Sequence, residues 1–303
     1  MAINVGVVAC SDGQGNFGTK GCKLDPKSII KDFFLERGTT FNIISDNLDQ
    51  DKVDELVRKK KLTVMPSHIS TVEAEATVYK TNTNGEKSKS RNGIFDKLSK
   101  YENQGHCFSN KITSLEKKSY DWIFLDSSGV LWVAKTVDNT SVKGMQTNFV
   151  GLDTKGINND ADPSYVDVRI SLTTLGSLEY YERLFPIENS SVDWGALDGI
   201  NDVNLVIEGA PTGTEVKFKA LIGCDQTTPA LGLGPFARAT ATDGTITQGT
   251  ATETQGVITF VPATALAPGD YVLDLFDTAE NSAVLKDSEN TYYEAGKVSF
   301  TVA

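Results

Sequence analysis

The sequence predicts a mainly β protein with a few short helices, divided into a β-rich, sandwich- or barrel-like part over residues 1–197 and an immunoglobulin-like β-sandwich over residues 198–303. Alternating apolar and polar residues recur along the chain, as in Tyr165-Val166-Asp167-Val168-Arg169-Ile170-Ser171-Leu172. That period of two is the signature of a half-buried strand. Turn formers punctuate the second part at regular intervals, at Pro211-Thr212-Gly213, Asp243-Gly244 and Ala267-Pro268-Gly269-Asp270, which suits a small all-β sandwich. Composition and charge also shift together near residue 197. The first part is close to neutral. The second carries most of the net charge of −11, is rich in Thr, Ala, Gly and Val, and has no Trp. A joint shift of this kind marks a domain boundary, with residues 194–199 as the linker.

With 39% hydrophobic and 23% charged residues, the chain has the material for a core. No apolar run reaches the roughly 18 residues of a spanning helix, and the acidic balance argues against a broad basic face for duplex nucleic acid.

The elements follow in order. Residues 3–9 read as a short strand, since they hold no Lys or Arg and too short an apolar run for a signal segment. The loop Ser11-Asp12-Gly13-Gln14-Gly15-Asn16-Phe17-Gly18 lacks the phosphate-loop pattern, with Lys20 misplaced, and no strand–helix crossover follows it directly, so it does not read as a dinucleotide-binding loop. Asp25-Pro26 predicts a helix start, with Ile29, Ile30, Phe33 and Phe34 on one face and Gly38 at the end. A strand is expected at 41–45 and a second helix at about 49–61, burying Val53, Leu56 and Val57. Arg58-Lys59-Lys60-Lys61 falls in its last turn, where cations complement the helix dipole, and reads as a solvated turn rather than a nucleic-acid contact. Residues 69–93 read as a long hairpin with a polar tip, 94–101 as a short helix, 121–137 as a hairpin about Asp126-Ser127-Ser128-Gly129, and 165–173 as a strand. Sandwich strands are expected at 203–208, 215–222, 235–242, 256–261, 270–276 and 296–302.

Catalytic constellations are scarce. The only histidines are His68 and His106. His106 and Cys107, expected in a loop or turn, would point to opposite sides of an extended backbone, so both histidines read as structural. Cys10, Cys22, Cys107 and Cys224 are spread out and form no CxxC pair. They read as reduced thiols of a protein folded in a cytoplasm, with a Cys10–Cys22 bridge left open. The segment 153–162 is dense in oxygen ligands, including Asp153, Asn158, Asn159, Asp160 and Asp162. It lacks the EF-hand spacing and reads as a turn, with calcium as the alternative. Trp122, Trp132, Trp194, Tyr180, Tyr181 and Phe185 read as core or interface aromatics, with a sugar platform as the alternative. No HExxH, GxSxG or DxDxDG motif occurs. No catalytic, cofactor-binding or metal residue is assigned, and an enzyme is not expected.

One ordered set of features carries a family resemblance. It runs from Cys10, Gly15-Asn16-Phe17-Gly18, Cys22 and Pro26-Lys27 through the basic helix end at 56–61 and the polar-tipped strand pair at 79–91. It continues with the hairpin at 122–134, Gly151-Leu152-Asp153 and the strand at 165–172. Over most of residues 1–185 this resembles a pattern in virion proteins of phages infecting Bacteroidetes-type bacteria. The appended sandwich is similar to immunoglobulin-like domains at the C-terminus of tail tube proteins of long-tailed phages. The resemblance implies a tail tube subunit, assembled in the host bacterial cytoplasm and resident in the virion. It would stack as rings around a channel that DNA crosses without sequence recognition. Its partners would be copies of itself and other virion proteins, with no cofactor and no membrane insertion. Loops 11–21 and 153–163 and the tip at 82–93 would reach neighbouring rings, and the sandwich would point outward. The family supplies no catalytic residue. The alternatives are a head decoration, fibre or collar protein, or a surface carbohydrate-binding or adhesion module.

Overall fold

The computed structural model describes residues 26–42, 48–73, 78–81, 83, 85, 87–91, 94–156, 164–187, 191–223 and 227–303. Over the described residues it is mainly β with three α-helices. Two compact units meet in sequence between Leu197 and Asp198.

The first unit runs β1 (Ile29–Glu36), β2 (Thr40–Asn42), α1 (Gln50–Arg58), β3 (Leu62–Ser67), β4 (Ser70–Glu73), β5 (Val78–Thr81), β6 (Lys87–Arg91), β7 (Asp96–Glu102) and α2 (Gly105–Leu115). It continues with β8 (Tyr120–Asp126), β9 (Leu131–Lys135), β10 (Ser141–Lys143), β11 (Met145–Gly156), β12 (Tyr165–Leu172), α3 (Thr174–Glu182) and β13 (Leu184–Ile187). Strand β8 is the spine, pairing with β1, β9 and β11. On one side the order is β8-β1-β3, and on the other β8-β11-β12-β7-β4. The sheet curls into a half-barrel, and only His68 and Ile69 separate β3 from β4 in the chain. His68 N donates to the Ile30 carbonyl at 3.0 Å and Ile69 N to the Lys100 carbonyl at 3.1 Å. This corner therefore transfers one continuous stretch of backbone from the β1 ladder to the β7 ladder.

Two expected helices are strands instead. The residues after Pro26 form β1, between β3 and β8, with Phe33, Phe34 and Leu35 all buried in succession. A strand covered on both faces reads as an unbroken apolar run, and over so few residues such a run also satisfies helical spacing. Residues 94–101 contribute most of β7, which alternates cleanly, but its buried set is Lys97, Ser99 and Tyr101 while Leu98 is only half-buried. The inward face is polar, so hydrophobic periodicity pointed the wrong way. The long hairpin expected at 69–93 is divided: β4 pairs with β7, while β5 and β6 pair with each other. Helix α1, the hairpin β8–β9 and strand β12 lie where expected, and Val53, Leu56 and Val57 are buried. Helices α2 and α3 were not anticipated. A Thr173 cap holds α3, its hydroxyl accepting from Gly176 N at 2.9 Å.

The β8–β9 turn shows how one carboxylate organises a hairpin. Asp126 Oδ1 accepts from Ser128 N (2.8 Å), Ser128 Oγ (2.6 Å) and Val130 N (3.2 Å), and Oδ2 accepts from Trp132 Nε1 (2.9 Å) and Lys27 N (3.1 Å). Gly129 adopts a φ of +80°, which favours glycine. The predicted linker begins inside this unit's core. Trp194 packs edge-on against Phe33, with centroids 5.3 Å apart. The buried Lys31 ammonium donates to the carbonyls of Gly195 (2.9 Å) and Leu197 (2.5 Å).

The second unit comprises β14 (Asn201–Ile207), β15 (Val216–Ile222), β16 (Thr228–Pro229), β17 (Ala237–Ala241), β18 (Ile246–Thr254), β19 (Val257–Pro262), β20 (Gly269–Leu275), β21 (Val284–Lys286), β22 (Tyr292–Ala295) and β23 (Val298–Val302). Strands β14-β15-β19 form one layer and β17-β20-β23 the other. The long β18 pairs with β17 at its start and with β19 over its remainder. This grouping is that of an immunoglobulin-type sandwich. Val203, Leu205, Phe218, Ile258 and Phe260 from one layer meet Ala239, Leu273 and Phe300 from the other in a single apolar core. All six predicted sandwich strands are present. Strand β18 was missed because most of its residues are exposed and polar, so no apolar face marks it.

Asp126→Asn is expected to lower the stability of the first unit by about 1–3 kcal/mol, because a charged acceptor of several donors is lost. Burial alone would raise the Asp126 pKa, but hydrogen bonds from Ser128, Trp132 and backbone amides outweigh it and hold the carboxyl below its usual value. Its contribution is therefore complete above a pH of about 4 and is lost as the pH falls below that. Melting temperatures of the parent and variant chains, followed by tryptophan fluorescence, should converge as the solution is acidified through that range.

Candidate functional site

Several buried polar and charged groups of the first unit converge on one carboxylate. Asp32 of β1 is fully buried, and five side chains from three other segments surround its carboxylate. Oδ1 accepts from Lys97 Nζ at 2.6 Å and from Trp122 Nε1 at 2.9 Å. Oδ2 accepts from Ser99 Oγ at 2.9 Å and Tyr101 OH at 3.1 Å, and His68 Nε2 stands 3.4 Å from it. His68 Nε2 is also 3.3 Å from Lys97 Nζ, while His68 Nδ1 has no hydrogen-bond partner among the described residues.

The backbone explains the convergence. Asp32 and Phe34 project to the same side of β1, and Lys97, Ser99 and Tyr101 to one side of β7, because strand side chains alternate. Strands β1 and β7 do not pair with each other. The cluster therefore bridges two strands that no backbone ladder joins. Trp122 comes from the β8 spine and His68 from the corner between β3 and β4. Aromatic rings surround the charges: Trp122 stacks on Phe124 with centroids 4.8 Å apart and on Phe95 at 5.4 Å. The Lys97 ammonium lies 5.2 Å from the Trp122 ring centroid, and His68 meets Tyr101 edge-on at 5.7 Å.

Burial pushes the Lys97 ammonium below its usual pKa, with the charge of Asp32 opposing. Burial would raise Asp32, but the charge of Lys97 and the contacts of His68 hold its carboxyl well below the usual carboxylate range. The Tyr101 hydroxyl is pushed well up by burial and by the adjacent carboxylate. A cavity of about 150 Å³ adjoins the cluster, lined by Lys27, Ile29, Thr71, Phe95, Lys97 and Tyr180 among others. It is well below the roughly 300–1,000 Å³ of a typical ligand pocket. The arrangement is suited to holding a charge pair in place and offers no open position to a substrate of ordinary size.

The residues singled out from the sequence are dispersed. His106 is exposed on the first turn of α2, with Asn110 Nδ2 and Lys155 Nζ each 3.4 Å from its ring nitrogens. The expectation of a loop there is corrected. The expectation of reduced thiols is corrected at Cys107, which is disulfide-bonded. Its sulfur is therefore no nucleophile for His106. Cys10, Cys22, Cys224 and the glycine-rich loop at 11–18 lie outside the described residues. Of the oxygen-rich segment, Asp153 lies in β11 and accepts from Arg169 Nε at 2.7 Å, while 157–163 lie outside the described residues. Among the described residues no group of three or more His, Cys, Asp or Glu is arranged to hold a metal ion. Trp122, Trp132 and Trp194 are all buried, which removes them from any sugar platform. Tyr181 is half exposed, but Tyr180 packs on Phe95 with centroids 4.2 Å apart. Lys59 and Lys60 occupy the turn after α1, and Lys61 Nζ lies 3.6 Å from Glu36. No helix among the described residues is long and apolar enough to cross a membrane.

Asp32, Lys97, Ser99 and Tyr101 were not recognised as a site from sequence. The one available signal was strict alternation over 96–102 with Lys and Ser on the same side as Tyr101. No protein-family model matches this chain, and neither does any curated protein.

Lys97→Met should leave the Asp32 carboxylate buried without its cation and destabilise the first unit by about 3–5 kcal/mol. All three tryptophans belong to the first unit. Denaturant unfolding followed by their fluorescence therefore reads this loss separately from the sandwich.

Proposed function

We propose that this chain is a structural subunit that assembles with copies of itself, and specifically a tail tube subunit of a long-tailed phage. The observation that carries the reading is the ribbon β5–β6, whose strands pair only with each other among the described residues. A two-stranded ribbon is marginally stable by itself in water, and a neighbouring subunit supplies the surface that holds it. Its sequence is rich in Lys, Ser, Thr and Asn. Charged and polar residues of this kind discourage indiscriminate edge pairing while permitting a specific seat.

The remaining features agree with a structural role. The buried Asp32 and Lys97 are engaged with each other and with His68, Ser99, Tyr101 and Trp122, so they brace β1 against β7. A mainly β body with an appended sandwich suits a ring subunit, which closes a sheet across copies and removes its open edges. Near-neutral charge over residues 1–197 is compatible with a channel wall that lets DNA pass without retaining it.

The purified chain is expected to sediment as a large ring or polymer and to appear as hollow filaments in negative stain. A sample that remains a single copy at high concentration overturns the proposal, and a discrete trimer points to head decoration. Deleting residues 78–91 should abolish filaments while leaving the thermal unfolding of both units intact. Filaments that form undiminished without the ribbon would remove the observation on which the reading rests.

A further inference from the structure

We propose that Lys97 and Asp32 are the site of a self-generated modification, condensing into an intramolecular isopeptide bond that staples β1 to β7 across the barrel interior.

The geometry supplies each part of the reaction. Lys97 Nζ is in hydrogen-bond contact with Asp32 Oδ1 at 2.6 Å, so the carboxyl carbon lies about one bond length further on, where attack can begin. Both side chains are wholly buried and enclosed by the rings of Trp122, Tyr101 and Phe95. A charge pair in such a place bears a desolvation cost of several kcal/mol per ion, and condensation exchanges two buried charges for one neutral amide. Burial already depresses the Lys97 ammonium, which favours release of its proton.

His68 is placed to carry that proton, since Nε2 lies 3.3 Å from Lys97 Nζ and 3.4 Å from Asp32 Oδ2. One proton passes from Nζ to His68 Nε2 and frees the nitrogen lone pair. Nζ then bonds to the Asp32 carboxyl carbon, and negative charge collects on Oδ1, where the Trp122 indole N–H donates at 2.9 Å. His68 delivers its proton to Oδ2, and a second proton from Nζ joins it. The bond from carbon to Oδ2 breaks and water departs. Of the three ammonium hydrogens, one remains on the amide and two leave in the water. No electrons are gained or lost, and no further reactant is needed. The cavity of about 150 Å³ that Lys97 lines gives the released water a place to go.

The test is an intact-mass measurement on the full-length chain, denatured and with its disulfides reduced, followed by proteolytic mapping. The expected result is a mass one water below that of the sequence, together with a branched peptide joining the segment bearing Asp32 to the segment bearing Lys97. Lys97→Met should stand at its full sequence mass. A folded parent chain at full mass, with no branched peptide, overturns the proposal. So does a water loss that maps to an Asp-Gly pair such as Asp243-Gly244, where a succinimide would produce the same mass. His68→Gln, with its fold checked by circular dichroism, should accumulate the lighter form more slowly. Accumulation at the parent rate would remove His68 from the mechanism.

Discussion

The first unit is organised around the burial of a single carboxylate. Asp32 has no solvent, so all of its stabilisation comes from protein groups, and these arrive from β1's own barrel, the β3–β4 corner, β7 and β8. A buried charge that loses its partner costs far more than a lost surface pair. The positions of Lys97, Ser99, Tyr101, Trp122 and His68 are therefore mutually dependent. Backbone ladders define the neighbours of each strand, and this cluster ties β1 to β7, which no ladder joins. It favours one curvature of the sheet over the many that a twisted open sheet can adopt, since a flatter sheet would separate Lys97 from Asp32.

The two units reach stability by different means. In the sandwich, two apolar inner faces meet with Phe218, Phe260, Leu273 and Phe300 among them, and the bidentate Arg238–Asp274 pair holds β17 to β20 through contacts of 2.8 and 2.9 Å. In the first unit, the aromatic stack of Phe95, Trp122 and Phe124 encloses a polar centre. Hydrophobic burial tolerates small changes of shape, whereas a buried hydrogen-bond network is far less tolerant of them. On the proposed reading as a ring subunit, that intolerance would keep the contacts of successive copies alike.

Legibility in the sequence followed the chemistry of the buried face. The sandwich strands were readable because their inward positions are apolar and their turns carry Gly, Pro and Asp. The hairpin about Asp126 was readable for the same reason, with Asp-Ser-Ser-Gly between two apolar runs. Strand β1 was misread because Phe33, Phe34 and Leu35 are covered on both faces, which leaves no polar side to reveal the period. Strand β7 was misread because it buries Lys97 and Ser99 and leaves Leu98 half exposed. Nothing in Met65-Pro66-Ser67-His68 indicates that His68 turns inward towards a carboxylate 36 residues away in sequence. The oxidation of Cys107 was not legible because spacing alone reports neither proximity nor oxidation.

Alternation, turn residues and the charge shift near residue 197 determined by themselves that this is a mainly β chain ending in a sandwich. These are local properties, set by the period of the side chains and the backbone preferences of Gly, Pro and Asp. Only the tertiary structure decided that the buried polar residues of β7 face Asp32, that β3 and β4 are one stretch of chain serving two ladders, and that the tryptophans are enclosed rather than displayed. Those outcomes depend on which distant segments meet, and a carboxylate can be buried only where its partners, remote in sequence, arrive together.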